Sequence, residues 1–360
     1  MLGGSVNIGT TAGNTIGSAT TTGAISVTST VTASLTDGIS VTAPAATVNI
    51  QNNNVGGITA SSATAAVGFA VRGIDTAGTG ANVTISGNTI GSTTAANSIQ
   101  VGINPTTTAV TTFIGISNIA TGTISITNNT IQNDSVFGSG ASIFQGISNA
   151  GGAGLTVNIT GNSVIAGTSR GTGTSQGIVS AVPAATVNLN NNTVRKMTLM
   201  ATAGAFRGIE QSGAVTVAIN LNDNKIGDAT DGFISYTAAA TGTLIGVYNN
   251  AAAATAALSM QRNDVRGISY TVAGANEIDC IYAQSGTPLS QIIADNTITN
   301  LNVNNAGSVF LIRNAESLPA SGTQTVTNNT IVGTFNKAAS GGQVVGFNNA
   351  NAFGAATANT

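Results

Sequence analysis

The sequence predicts an all-β fold, a single-stranded parallel β-solenoid of about ten coils, each of roughly 35 residues. Three observations carry this expectation. A short phrase recurs along the whole chain, an asparagine holds a fixed place within it, and the segments around it are Val-, Ile- and Thr-rich runs that alternate apolar and polar residues.

The phrase is apolar-x-apolar-x-x-Asn-x-(Ile/Val). It reads VNIQNNNV at 48–55, VTISGNTI at 83–90, ISITNNTI at 124–131, VNITGNSV at 157–164, VNLNNNTV at 187–194, INLNDNKI at 219–226 and LSMQRNDV at 258–265. QIIADNTI at 291–298 and QTVTNNTI at 324–331 lose the first apolar residue, and a stretched copy, VNIGTTAGNTI, occupies 6–16. The anchors are Asn14, Asn53, Asn88, Asn129, Asn162, Asn192, Asn224, Asn263, Asn296 and Asn329, spaced by 30–41 residues. A second signal runs in phase: an apolar residue, a spacer, Gly and an apolar residue, as in VRGI at 71–74, FQGI at 144–147 and LIGV at 244–247. Cys280 and Leu311 replace that Gly in two copies. From the Gly to the next anchor takes 14–18 residues, whereas from the anchor to the next Gly takes 15–27. One arc of each unit is therefore nearly fixed and the other accepts insertions.

A unit this short cannot bury a face alone, but stacked units share a continuous core. Strands of successive coils would pair in parallel at about 4.8 Å, giving a rod on the order of 50 Å long. Right-handed coiling follows from the general crossover rule. The columns agree with stacking. Five residues before the anchor stand Val48, Val83, Ile124, Val157, Val187, Ile219 and Leu258, and two after it every residue is Ile or Val. The apolar phase slips between these positions, which marks a corner. A buried asparagine there can bond the backbone and the amides above and below, forming a structural ladder. The preceding residue is usually Asn, Gly or Asp, types that tolerate left-handed backbone. Charges also fall into columns: Asp223, Arg262 and Asp295 in one, Lys225 and Asp264 in another.

Composition narrows the chemistry. Of 360 residues only 22 are charged, and the net charge is −2, which leaves no basic field for nucleic acid. No apolar run is long enough to insert in a membrane. The chain has no His, hence no imidazole base or ligand, and a single cysteine, Cys280, expected as a small buried apolar residue. Acids are scattered, so no catalytic residue and no metal centre is expected. Asp228 and Asp231 in GDATDGF offer the one place for Ca2+, against the plainer reading of a solvated turn. Glu277 and Asp279 lie two apart on an outward strand face without a second acid column. Arg72–Asp75 and Arg207–Glu210, in RGID and RGIE, read as surface ion pairs. Two residues after the Gly position, Glu210, Tyr248, Tyr282 and Arg313 fall on consecutive coils. They form either a glycan-binding platform or a Tyr ladder that stabilises the sheet.

On the V-x-I-x-x-N-x-I phrase, as in Val83, Ile85, Asn88 and Ile90, the chain resembles the right-handed parallel β-helix repeat family, the pectin-lyase-like superfamily, over nearly its whole length. The Thr/Ala/Gly/Asn bias is similar to that of its non-catalytic bacterial surface and adhesin members. The resemblance implies one continuous domain over 1–360, expected as a segment of a larger secreted or cell-surface protein. It implies a stiff stalk, surface-layer or filament component without enzymatic activity or cofactor, whose partners are other copies end to end or a surface polysaccharide. The alternative is a carbohydrate-binding or carbohydrate-active β-helix, akin to the lyases and hydrolases on the same fold.

Overall fold

The structure is a computed structural model. It describes residues 3–42, 46–62, 64–78, 82–102, 107–151, 154–228, 234–251, 256–270, 272–284, 286–350 and 358–359. Among the described residues there is no helix and every strand pairing is parallel. Three sheets run the length of the solenoid, with eleven, seventeen and ten strands.

One coil shows the plan. Thr47–Gln51 lies in the first sheet. The chain turns at Asn52 and Asn53 into Asn54–Gly56, bends, and continues as Ile58–Ser62, both in the second sheet. Phe69–Thr76 forms the third sheet, and Asn82–Ser86 re-enters the first directly against Thr47–Gln51. The register confirms the columns: Val48 pairs with Val83, and Ile85 with Ile126, which pairs with Ile159. The chain makes about nine turns of roughly 33 residues, in line with the expected architecture, the ten anchors being joined by nine steps.

The corner ladder is continuous. Each anchor from Asn14 to Asn296 donates its side-chain amide to Oδ1 of the next anchor at 2.8–3.3 Å. The same Oδ1 accepts the backbone N–H of that donor residue at 2.9–3.1 Å. From Asn88 onward the amide also donates downward, at 2.8–2.9 Å, to the carbonyl three residues before the anchor beneath it, while Asn53, above the stretched first copy, donates to the Ile8 carbonyl at 3.2 Å. Every polar group of an interior rung is thus satisfied. The residue before each anchor from Asn53 to Asn329 has φ between 51° and 69°, Asp223, Arg262 and Asp295 included. A second left-handed turn, at Gly57, Asn133, Ala166, Lys196, Gly267, Asn300 and Gly333, bends the second sheet. At Ala166 and Lys196 it escapes sequence reading, because Ala and Lys carry no turn signal.

The glycine column has a steric cause. A Cβ on Gly146 would lie 2.5 Å from the Gly177 carbonyl oxygen and 2.5 Å from Val164 Cγ2, and Gly115 and Gly177 meet the same obstruction from Ile131 and Val194. The third sheet here touches the Ile/Val residues that follow the anchor, so on these three coils only glycine fits. Cys280 occupies this column fully buried in the core, as expected, and burial raises its thiol pKa.

A further polar ladder lies inside the far end of the third sheet. Thr76 donates to Asn118 at 2.7 Å, Asn118 to Asn149 at 2.6 Å and Asn149 to Ser180 at 3.3 Å, all buried. These stand three residues after the Gly column, one position beyond the outward column that the sequence singles out.

Replacing Asn192 by Leu orphans the Asn162 N–H and amide and the Ile159 carbonyl at once. The expected loss is roughly 3–5 kcal/mol, read as a lower urea midpoint than the parent. An unchanged midpoint would remove the ladder from the stability of the fold.

Candidate functional site

Chemistry-bearing side chains concentrate on the outer face of the third sheet. Parallel register sets Glu210 beside Tyr248, Tyr248 beside Tyr282 and Tyr282 beside Arg313, so the expected column forms. The two phenol rings stack at 5.4 Å with a 26° interplanar angle. The Arg207 guanidinium lies 5.1 Å from the Tyr248 ring centre, and that of Arg313 lies 4.6 Å from Tyr282. The rings are nonetheless covered, at 4% and 6% exposure, and pack with Ile245 and Ala315 into a small apolar cluster outside the main core. Tyr248 donates its hydroxyl to Gln284 at 2.6 Å, and burial pushes its pKa up to about 12.

The carboxylates on this face are less exposed than the sequence suggests. Asp75 and Glu210, expected as partners in surface ion pairs, are buried. Arg72 holds Asp75 at 3.0 Å and Asp37 at 2.7 Å, while Glu210 is held by Arg207 and Gln176. Stacking places a neighbouring coil's side chain over each acid, a cover that a single repeat does not reveal. Glu277 and Asp279 do not stand alone either. Arg313, one coil on, reaches Glu277 at 2.6 Å and Asp279 at 3.5 Å. Burial, reinforced by Glu277, raises the Asp279 carboxyl to about 7, against the opposing pull of Arg313. A carboxyl that shares a proton near neutrality, beside a second acid and a guanidinium, can act as an acid or a base.

Two buried acids went unread in the sequence, Asp134 and Glu316. Glu316 sits in an amide network where it accepts from Asn249 at 2.6 Å and from Gln291 at 2.7 Å. Asn314 donates to Gln291 at 2.8 Å, and Gln324 donates to Gln291 at 2.6 Å. This explains why the last two phrases carry Gln291 and Gln324 where others carry an apolar residue. They face Asn249, Asn314 and Asn349, the polar column at the end of the third sheet. The signal that locates this network is the recurrence of amides three residues after the Gly position. Burial raises the Glu316 carboxyl to about 8, with the two amide donors opposing.

Elsewhere the predicted positions sort simply. All ladder asparagines lie in one file. Arg262 grips Asp223 in a two-pronged contact at 2.7 and 2.8 Å. Lys225 and Asp264 are neighbours in register, but Asp264 is paired with Arg266 of its own strand instead. Asp228 is bonded to Arg195 at 2.6 Å, and Asp231 lies outside the described residues. Among the described residues no three His, Cys, Asp or Glu side chains gather as a metal site would require. Compared with known family models, curated proteins and solved structures, the chain matches none.

The raised acids make stability pH-dependent. Glu316, ordinarily near 4.5, stays protonated in the folded chain up to about 8, and Asp279, ordinarily near 3.8, up to about 7. Between those limits the folded chain binds more protons than the unfolded one, so stability falls as pH rises. The urea midpoint should drop between about pH 5 and about pH 9, by an amount on the order of a few kcal/mol in stability. Glu316→Gln should remove a large part of that slope, and a slope left intact would contradict the burial argument.

Proposed function

We propose that the chain is a structural repeat protein of the secreted or cell-surface type, a stiff rod that serves as a stalk, adhesin, surface-layer or filament component. It would belong with the non-catalytic surface members of the right-handed β-helix superfamily. The observation that carries this reading is the continuity of the interior, in which one apolar core and one asparagine file run from coil to coil along the axis. Such a rod resists bending because every turn is bonded to the next along three sheets.

The two ends of the described solenoid suit end-to-end association. Inward residues of the last coil are open to solvent, Ile331 at 45%, Val344 at 46% and Phe347 at 41%, whereas Ile298, Val309 and Ile312 directly beneath them are buried. At the other end Val6, Ile8, Ile16, Ile25 and Val27 are only partly buried. Among the described residues Asn14 only donates along the ladder, and the Asn329 amide donates only to the Ile293 carbonyl. One end thus offers an acceptor and the other donors, in the same columns as the apolar rows. Open strand edges of this kind favour addition of further strands.

A carbohydrate-active reading draws on one specific observation, the Asp279 carboxyl raised beside Glu277 and Arg313 on the outer face of the third sheet. The two readings separate in one comparison on the purified chain, electron microscopy at rising concentration alongside an ultraviolet assay for unsaturated uronate release. Rods that lengthen with concentration, without product, are expected. Single particles at every concentration, together with product that Asp279→Asn abolishes, would overturn the structural reading.

A further inference from the structure

One inward column of the second sheet runs in register from Val27 and Ala60, through Val136 and Tyr236, to Tyr270. The pairing of Ser269 with Asn302 brings Val303 next in line, and Val303 pairs with Lys337 on the last described coil. From Ala60 to Val303 every member of the column is uncharged and buried. In-register neighbours in a parallel sheet share a face. Lys337 therefore stands where each coil beneath it buries a neutral side chain.

The strand Thr330–Lys337 pairs only with Thr297–Val303 among the described residues, so Lys337 lies on the open edge of the sheet. It is half-buried, and its ammonium donates to the Ala339 carbonyl at 3.1 Å and to that of Gly341. Among the described residues it has no carboxylate partner. A second copy whose Asn14 oxygen met the Asn329 donors would extend every column by one coil, and its Val27 would come to rest over Lys337. The strand that carries Val27 reads ISVTS and holds no acid to receive the ammonium. Covering a charge with an apolar side chain and no counter-charge is costly. An inward-pointing charge at a sheet edge is a general obstacle to edge-to-edge growth.

We infer, on the end-to-end reading proposed above, that Lys337 sets the strength of the contact between copies. It makes the last coil a surface to which another copy of this chain adds weakly and reversibly. A neutral residue in its place would let the apolar column continue from one copy into the next. The polarity of the contact follows, since Val27 at the other end of the same column carries no such charge.

Sedimentation velocity over a concentration series tests this on the whole chain. Lys337→Val restores the apolar column and should lower the concentration at which half the chains stand in rods by about tenfold or more. Lys337→Glu reverses the charge but still buries one, and should associate no more tightly than the parent. Lys225→Met removes the same charge from an exposed outer position and should leave association unchanged. Equal lengthening of the parent and Lys337→Val would overturn the role of Lys337 and leave end-to-end association standing. A gain from Lys337→Glu or Lys225→Met as large as that from Lys337→Val would overturn it likewise, because net charge rather than burial would then govern the contact. Single particles of both the parent and Lys337→Val at every concentration would overturn end-to-end association itself, and the role of Lys337 with it.

Discussion

The asparagine at the first corner is the interaction on which the rest of the molecule depends. A parallel coil must turn out of one sheet into the next, and at that turn the backbone N–H and C=O groups leave the strand ladder. Buried and unpaired, each would cost roughly 1–3 kcal/mol. One primary amide per coil resolves this. Its oxygen accepts from the backbone N–H and amide of the coil before, and its nitrogen donates to the carbonyl below and the oxygen above, as at Asn129, Asn162 and Asn192. Because the same side chain repeats at every turn, the register of the corner is fixed, and with it the columns of Ile and Val that form the core.

That dependence explains which parts of the architecture were legible. The anchor phrase encodes the corner, the strand before it and the strand after it, and the parallel register of Val48, Val83 and Ile124 followed from it. The glycine signal was legible as a position but not as a cause. Its cause is the approach of Val164 and Ile131 from the opposite sheet, a contact between residues distant in sequence. The bend at Ala166 and Lys196 was illegible because neither residue type announces left-handed backbone.

The candidate site was less legible, for the same reason. In a solenoid a side chain's neighbours come mostly from the coils above and below. The column Glu210, Tyr248, Tyr282 and Arg313 could be aligned from the sequence, but its burial could not, since the cover comes from residues such as Gln284 and Ala315 in the connecting loops. Glu316 lay outside every column considered and drew its meaning only from Asn249 and Gln291. Register predicted that Lys225 faces Asp264. It does, but Arg266 on the same strand takes the Asp264 carboxylate and leaves Lys225 exposed beside it.

The most direct measurement of the account is hydrogen exchange at the asparagine side-chain amides, resolved by nuclear magnetic resonance. The amide protons of the interior rungs, Asn88 through Asn263, should exchange more slowly than those of exposed Asn7 by about two orders of magnitude or more. Exchange of the interior rungs at the rate of Asn7 would contradict the stacked corner and the coil register built on it.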